Sequence, residues 1–390
     1  MLKWKNLGLD QIMMNFQTAD QAPRSNRAVG RLLLFLAILP ALLIPGPAGA
    51  GKAGDGETSL VMLWNGLRIN ADYAAILVPP GSDQVLSFAG AGLAADVKAL
   101  SCSGAGKCAG GGGSVFFNAP EMPGNYELKV KLEVKPARTG HGPGSVASAG
   151  DPGIKKITIA CLVGYPSSML RDGYLLDFEL GEYPTASERS AADRRLPPPY
   201  FYYLDREVLG RFISENIRLG DLGYDGRAPL PQYFALDYEL VRKLDLLHSE
   251  LQKLGLPSRF HFIGGGFISP KSNKVRTSKN SAAANQSRHM WGEAVDFIID
   301  ESPRDEIMDD MNEDGVIDVR DAFVVRDILT ELEESSRCKP GGIGVYAPPR
   351  NSQIQLHVDV RGAPIRWGVK EYDSREFAGV PPKKSLRPGG

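Results

Sequence analysis

Histidine is scarce in this chain, with five in 390 residues. Cysteine and tryptophan are scarcer, at four each, and no two cysteines have the C-x-x-C spacing of a thiolate zinc site. An excess of one charge is also lacking. The 45 basic and 46 acidic residues leave a net charge of −1, which gives no sign of nucleic acid as the main partner. Long apolar runs are absent but for one, Leu32 to Ile44, "LLLFLAILPALLI", which is short for a membrane span. Arg24, Arg27 and Arg31 precede it and "PGPAGAG" follows, the pattern of an export signal cut after Ala50. Residues 1–50 are therefore expected to be a signal peptide, or an N-terminal membrane anchor if uncut. The rest is expected in the periplasm or cell envelope. Four cysteines suit that compartment. Cys102 and Cys108 flank a glycine-rich loop and can pair locally, whereas a bridge between the distant Cys161 and Cys338 cannot be read from sequence.

What is present is an ordinary globular composition, 43% apolar and 23% charged, in a chain long enough for two cores. From about 58 to 165 the pattern is β: "SLVMLW", "AAILVP", "VLSFAG", "SVFFNAP", "YELKVKLEV" and "KKITIACLVGYP" are short runs broken by Gly, Pro, Asn or Asp. "YELKVKLEV" alternates apolar and polar, as a strand with one buried face does. "APEMPGNYELKV" resembles a strand–turn–strand corner of bacterial immunoglobulin-like domains, so a small all-β sandwich is expected here. His141 sits in a Gly-rich loop and reads as solvated. Residues 166–200 read as a linker. From 201 to 370 an α+β domain is expected. Leu240, Leu244, Leu247, Leu251 and Leu254 recur at helical spacing, Gly255 and Pro257 end that helix, and His248 on it reads as structural. The tail, 371–390, has the composition of a disordered segment.

"SRHMWGEAVDFIID" carries a carboxylate inside an apolar strand pattern. In a strand, Ala294, Asp296 and Ile298 share one face, and a carboxylate there is costly to bury unpaired. "IQLHVDVRG" is a second strand pattern, with Gln355, His357 and Asp359 on one face. If these strands pair, Asp296 and His357 come side by side, and His289 can approach from the preceding loop. Two imidazole nitrogens and a carboxylate make a three-ligand zinc site. A salt-bridge network with Arg288 or Arg361 is the alternative.

"SRHMWGEAVDF" is similar to the S-x-H-x-x-G-x-A-x-D motif of the zinc D-alanyl-D-alanine carboxypeptidase family, with Ser287, His289, Gly292, Ala294 and Asp296 at its fixed positions. "LHVDVRGAPIRW" resembles that family's H-x-D branch. The resemblance covers roughly Phe201 to Gly368. It implies an α+β peptidase fold with a central antiparallel sheet, and zinc held by His289, Asp296 and His357. It also implies hydrolysis of peptidoglycan stem peptides or cross-links. Two positions depart from the family pattern. Ile268 in "GGGFISP" stands where an arginine is expected, with Arg276 or Arg288 as substitutes. Ile354 stands where many members carry a general base. Asp359 is then the candidate for moving the proton, and it is equally a candidate third ligand or a residue orienting one. A wall-binding protein without catalysis is the second reading.

"DDMNEDGVIDVRDA" supplies a further constellation. Asp310, Asn312, Asp314, Val316, Asp318 and Asp321 fall at loop positions one, three, five, seven, nine and twelve, with Gly315 at six. The loop, 310–321, resembles the calcium loop of EF-hands and dockerin repeats, so calcium is expected as a second, structural ion. The expected partners are peptidoglycan peptides and, through the sandwich, another envelope protein. Membrane contact is expected only through residues 1–50.

Overall fold

The computed structural model describes residues 60–90, 96–135, 153–185, 196–226, 228–279, 284–348 and 353–369. The expected export segment, His141 and the tail lie outside these residues. No helix among the described residues is long and apolar enough to cross a membrane.

Nine strands make the N-terminal part: β1 (Leu60–Trp64), β2 (Leu67–Asn70), β3 (Ala75–Val78), β4 (Asp83–Gly90), β5 (Asp96–Gly104), β6 (Lys107–Gly111), β7 (Ser114–Asn118), β8 (Gly124–Lys135) and β9 (Gly153–Val163). They form a five-stranded sheet, β2-β1-β4-β7-β6, and a four-stranded one, β3-β9-β8-β5. The period-two pattern is the cause. In β8, Leu128, Val130 and Leu132 are buried while Lys129 and Lys131 between them are exposed. Their partners in the other sheet include Leu86, Phe88, Val115 and Phe117, all in one core cluster. Cys102 and Cys108 are disulfide-bonded across the β5–β6 turn, and Cys161 and Cys338 are free thiols.

The stretch read as a linker carries structure of its own. β10 (Tyr165–Pro166) leads to a small sheet of β11 (Leu170–Arg171), β12 (Tyr174–Leu175) and β13 (Phe178–Glu179). Leu175, Leu180 and Tyr183 are buried there. β10 also pairs with β14 (Tyr200–Leu204), which pairs with β15 (Gln232–Phe234).

The C-terminal part is built on a second five-stranded sheet. Its order is β16 (Phe260–Phe262), β17 (Ala294–Ile299), β19 (Gln355–Asp359), β18 (Gly342–Tyr346), β20 (Ile365–Gly368), antiparallel except for the β18–β20 pair. Four helices occur among the described residues: α1 (Leu219–Gly223), α2 (Tyr238–Lys253), α3 (Pro270–Lys279) and α4 (Val319–Glu334). Asp237 caps α2 by accepting from the Glu239 N–H. The leucine stripe of α2 is buried at 240, 244, 247 and 251, each side chain worth about 1.5–3 kcal/mol of transfer. Leu254, expected to continue the stripe, is exposed because the helix has ended there and Gly255 takes a left-handed turn.

The sandwich is joined to this half through α2. Tyr238 accepts a hydrogen bond from Leu77 N at 3.0 Å and packs edge-on against Trp64, ring centroids 4.7 Å apart. The deepest polar contact is Lys243 on α2, fully buried and 2.5 Å from Glu333 on α4. Lys243 also donates to the carbonyl oxygen of Asp359 at 3.0 Å, and Glu333 accepts from Gly341 N and from Arg366. Removing one partner of a buried, hydrogen-bonded ion pair strands the other. Lys243→Met is therefore expected to cost about 3–5 kcal/mol, read as a fall in the urea midpoint at unchanged slope. A loss below about 1 kcal/mol, the range of an exposed pair, would show that the pair is not the anchor described.

Candidate metal centre

The register of β17 on β19 sets Asp296 directly opposite His357, and Ala294 opposite Asp359. Directly opposed residues project to the same face, so the two side chains meet. His289 comes from a 3-10 turn, Arg288–Trp291, ahead of β17. That turn ends at Gly292, φ +66, where an added Cβ would lie 2.1 Å from the carbonyl oxygen of Ala235. Only glycine fits this left-handed position, which explains the motif residue and returns the chain into β17.

Three backbone contacts hold the turn. Gly266 O accepts from His289 Nδ1 at 2.7 Å, Ile268 N donates to His289 O at 3.2 Å, and Tyr183 donates its hydroxyl to Met290 O at 2.7 Å. The last comes from the stretch read as a linker. Its buried Tyr183 is a supporting residue that sequence reasoning missed, since a lone aromatic among Gly, Glu and Pro gives no periodic signal.

The ligand atoms of His289, Asp296 and His357 lie within 4.8 Å of one another. Among the described residues this is the one cluster of three or more such groups. His357 Nδ1 is 2.8 Å from Asp296 Oδ1, and His289 Nε2 is 3.6 Å from Asp296 Oδ2. Because Nδ1 of His289 donates to Gly266, a neutral ring carries its lone pair on Nε2. That nitrogen is buried and makes no hydrogen bond. A buried polar atom left without a partner costs about 1–3 kcal/mol, which a metal ion would offset. Two imidazoles and a carboxylate are a zinc donor set, and the residues fit that ion.

Asp359 is fully buried and already engaged. It accepts from Gly342 N at 2.7 Å, from Arg361 N at 3.0 Å and from the Arg361 guanidinium, and lies 3.4 Å from His357 Nε2. Trp367 lies over the glycines of β18. A Cβ on Gly344 would be 2.6 Å from its ring, and the ring centroid is 5.1 Å from that of His357. Ile268, at the position of the expected arginine, is buried in the core at 2% exposure, so no cation enters the site from there. Ile354 packs against the core as a partly buried residue. Arg288 lies 3.6 Å from Glu293, and Arg276 stands half-buried on α3.

In the acidic loop, Asp310 accepts from Asp314 N and Gly315 N, and Arg320 bridges Asp314 at 2.5 Å and Asp318 at 2.8 Å. Asp318 and Asp321 form the capping box of α4, with Asp321 buried and also accepting from Met311 N. Val316 is exposed, its N–H donating to Asp314.

Burial works against the charge on Asp296, His357 and Asp359, but the partners outweigh it. His289 and His357 hold the Asp296 carboxyl well below the usual range, and His357 and Arg361 do the same for Asp359. His357 is raised in turn by Asp296 and Asp359, to about 9. A folded pKa above the unfolded one contributes stability that is fully present below the ordinary imidazole value and lost as pH rises through the folded one. Metal-free protein is therefore expected to lose melting temperature between about pH 7 and pH 9.5. His357→Gln should flatten that slope. An unchanged slope in the variant would place the proton elsewhere.

Comparison with known proteins gives one family. Residues 218–316, which include His289 and Asp296, match the model described as peptidoglycan L,D-endopeptidase MepK, a peptidase family. The match spans about a quarter of the chain and shows that this stretch is similar to a peptidase of that description. No curated protein matches the chain. Among solved structures, a nucleoside hydrolase-related hypothetical protein from Saccharophagus degradans matches at 12% identity and a TM-score of 0.18. It covers 27% of this chain and 25% of its own, an overlap that carries no argument about fold. The chain thus spans about a quarter of that protein's length.

Proposed function

We propose that this protein is an exported zinc peptidase that hydrolyses peptide bonds in peptidoglycan stem peptides or their cross-links. The observation that carries the reading is the convergence of His289, Asp296 and His357 around an orphaned imidazole nitrogen. Zinc bound there supplies Lewis acidity, polarising a carbonyl and making water acidic enough to attack near neutral pH. The chain's own residues hold and orient. Gly266 fixes the His289 tautomer, Asp296 offers its carboxylate between two imidazoles, and Asp359 faces the far nitrogen of His357. We assign Asp359 to holding His357, in place of the proton transfer expected from sequence. Its oxygens are already taken up by Arg361 and Gly342, and a carboxylate held far below neutral pH is a poor proton acceptor. Export rests on the Leu32–Ile44 run and on a disulfide that suits an oxidising compartment. The sandwich, which we take as immunoglobulin-like, positions the catalytic half on the wall or on a partner.

Mature protein is expected to bind about one zinc per chain and to cleave cross-linked muropeptides in a chelator-sensitive way. His289→Ala and Asp296→Ala should abolish both. Asp359→Asn separates the two roles of Asp359. As an orienting residue it should weaken zinc affinity about 10–100-fold, with activity returning at saturating zinc. Activity lost at full zinc occupancy would restore Asp359 as the proton carrier. The buried Ile268 favours a second reading, a wall-binding protein without catalysis. Retained wall binding with no metal-dependent product by mass spectrometry would establish it.

We also propose the acidic loop as a structural calcium site of Asp310, Asn312, Asp314, Val316, Asp318 and Asp321. Support comes from Asp314 and Asp318, whose carboxylates already converge on one cation, the Arg320 guanidinium. Calcium in the millimolar range should raise the melting temperature by binding the folded state alone. Asp310→Ala should remove that shift. No shift in ion-stripped wild-type protein would leave Arg320 as the loop's cation.

A further inference from the structure

The arginine absent at position 268 leaves a chemical gap. Amide hydrolysis forms a bond from water oxygen to the carbonyl carbon, breaks the C–N bond and leaves a proton on the departing amine. In between, negative charge develops on the carbonyl oxygen and needs a donor. We propose that Tyr346, backed by the positive charge of Arg276, donates the hydrogen bond that meets this charge. The inference rests on the peptidase reading above.

The sheet register places Tyr346. On β18, Gly344 is opposite His357 and Tyr346 is opposite Gln355, so the phenol rises from the same face as the metal-site histidine, one step along. Trp367 fixes it. Its Nε1–H donates to the Tyr346 hydroxyl oxygen at 2.8 Å, while its ring packs against His357. That bond uses a lone pair of the hydroxyl and leaves its proton unused. Among the described residues the Tyr346 O–H has no acceptor, and the side chain is half-buried. Burial and the charge of Asp296 raise the phenol's pKa, so it keeps this proton at neutral pH. The same hydroxyl lies within electrostatic reach of Asp296, Arg276 and Arg361.

Of those cations, Arg361 is committed to Asp359. Arg276 is not committed. It follows Ser272 and Asn273 on the buried face of α3, whose Asn273 amide donates to Ala284 O and Asn285 O in the approach to the His289 turn. Among the described residues Arg276 makes no hydrogen bond or ion pair. A half-buried guanidinium without a partner and a phenol with a spare proton, within electrostatic reach of each other, are two donors open to an anion.

The test uses the full mature chain. With zinc loaded, Tyr346→Phe should lower kcat about a hundredfold while KM and zinc content stay near wild type. Arg276→Met should lower kcat less, and Arg276→Lys should recover part of it. A second readout needs no turnover: calorimetry of a phosphinate dipeptide, a tetrahedral anion, on the metal-free protein. Its affinity should fall about tenfold or more in Tyr346→Phe, while the matching amide peptide binds wild type and variant alike. Wild-type kcat in zinc-replete Tyr346→Phe, or an unchanged phosphinate affinity, would mean that the tyrosine only clamps Trp367, and the proposal falls. Should Tyr346→Phe fail to fold, Arg276→Met decides, with unchanged kcat and unchanged phosphinate binding overturning the proposal. If wild-type protein cleaves nothing but still loses phosphinate binding in Tyr346→Phe, the peptidase reading fails and the donor assignment stands.

Discussion

The pairing of β17 with β19 is the constraint on which the rest depends. Asp296 opposite His357 is a statement about register, and a slip of one residue would send either side chain to the other face of the sheet. The opposite face is where Val295, Phe297, Leu356 and Val358 are buried, each at 0% exposure. The register is thus locked by the apolar residues between the polar ones. Moving Asp296 out of place would also move two strands' worth of core side chains towards solvent. The price of a buried carboxylate is carried by the same packing that aims it.

Around that pair the molecule is braced from several directions at once. Lys243 reaches from α2 to the backbone of Asp359, and Glu333 reaches from α4 to Arg366, so two helices grip the strands that carry His357 and Trp367. Tyr183, Gly266 and Gly292 grip the turn that carries His289. The sandwich joins through Tyr238 at the start of α2, the helix that carries Lys243. A continuous hydrophobic core runs through both halves. Such over-determination suits a metal centre, where ligands displaced by a fraction of an ångström lose affinity.

The departures from the pattern that the sequence resembles make physical sense together. A buried Ile268 holds the His289 turn through its backbone N–H but brings no cation to the site. Arg361 cannot replace it, because its charge neutralises Asp359 and so keeps that residue facing His357. What remains on the metal face is neutral or unpaired: a phenol, an indole and a guanidinium on the neighbouring helix. The site is richer in orienting groups than in proton carriers.

Much of this could be read in the sequence because it is local. Alternation in "YELKVKLEV" sets the faces of β8, the leucine spacing sets α2, and S-x-H-x-x-G-x-A-x-D spaces two ligands within one turn and one strand. The pairing of Cys102 with Cys108 is local as well. Other features were decided only when distant segments met. The stretch read as a linker became a brace, because Leu175, Leu180 and Tyr183 find partners only in the folded chain. Leu254 fell outside the stripe because it is the C-cap residue, where the helix has already ended. Asp359 is bound to Arg361 through sequence-adjacent contacts, yet its backbone carbonyl is held by Lys243, over a hundred residues away. The residue types and their periods determined which side chains face together. The strand register and the buried ion pair, both long-range, decided which of them touch.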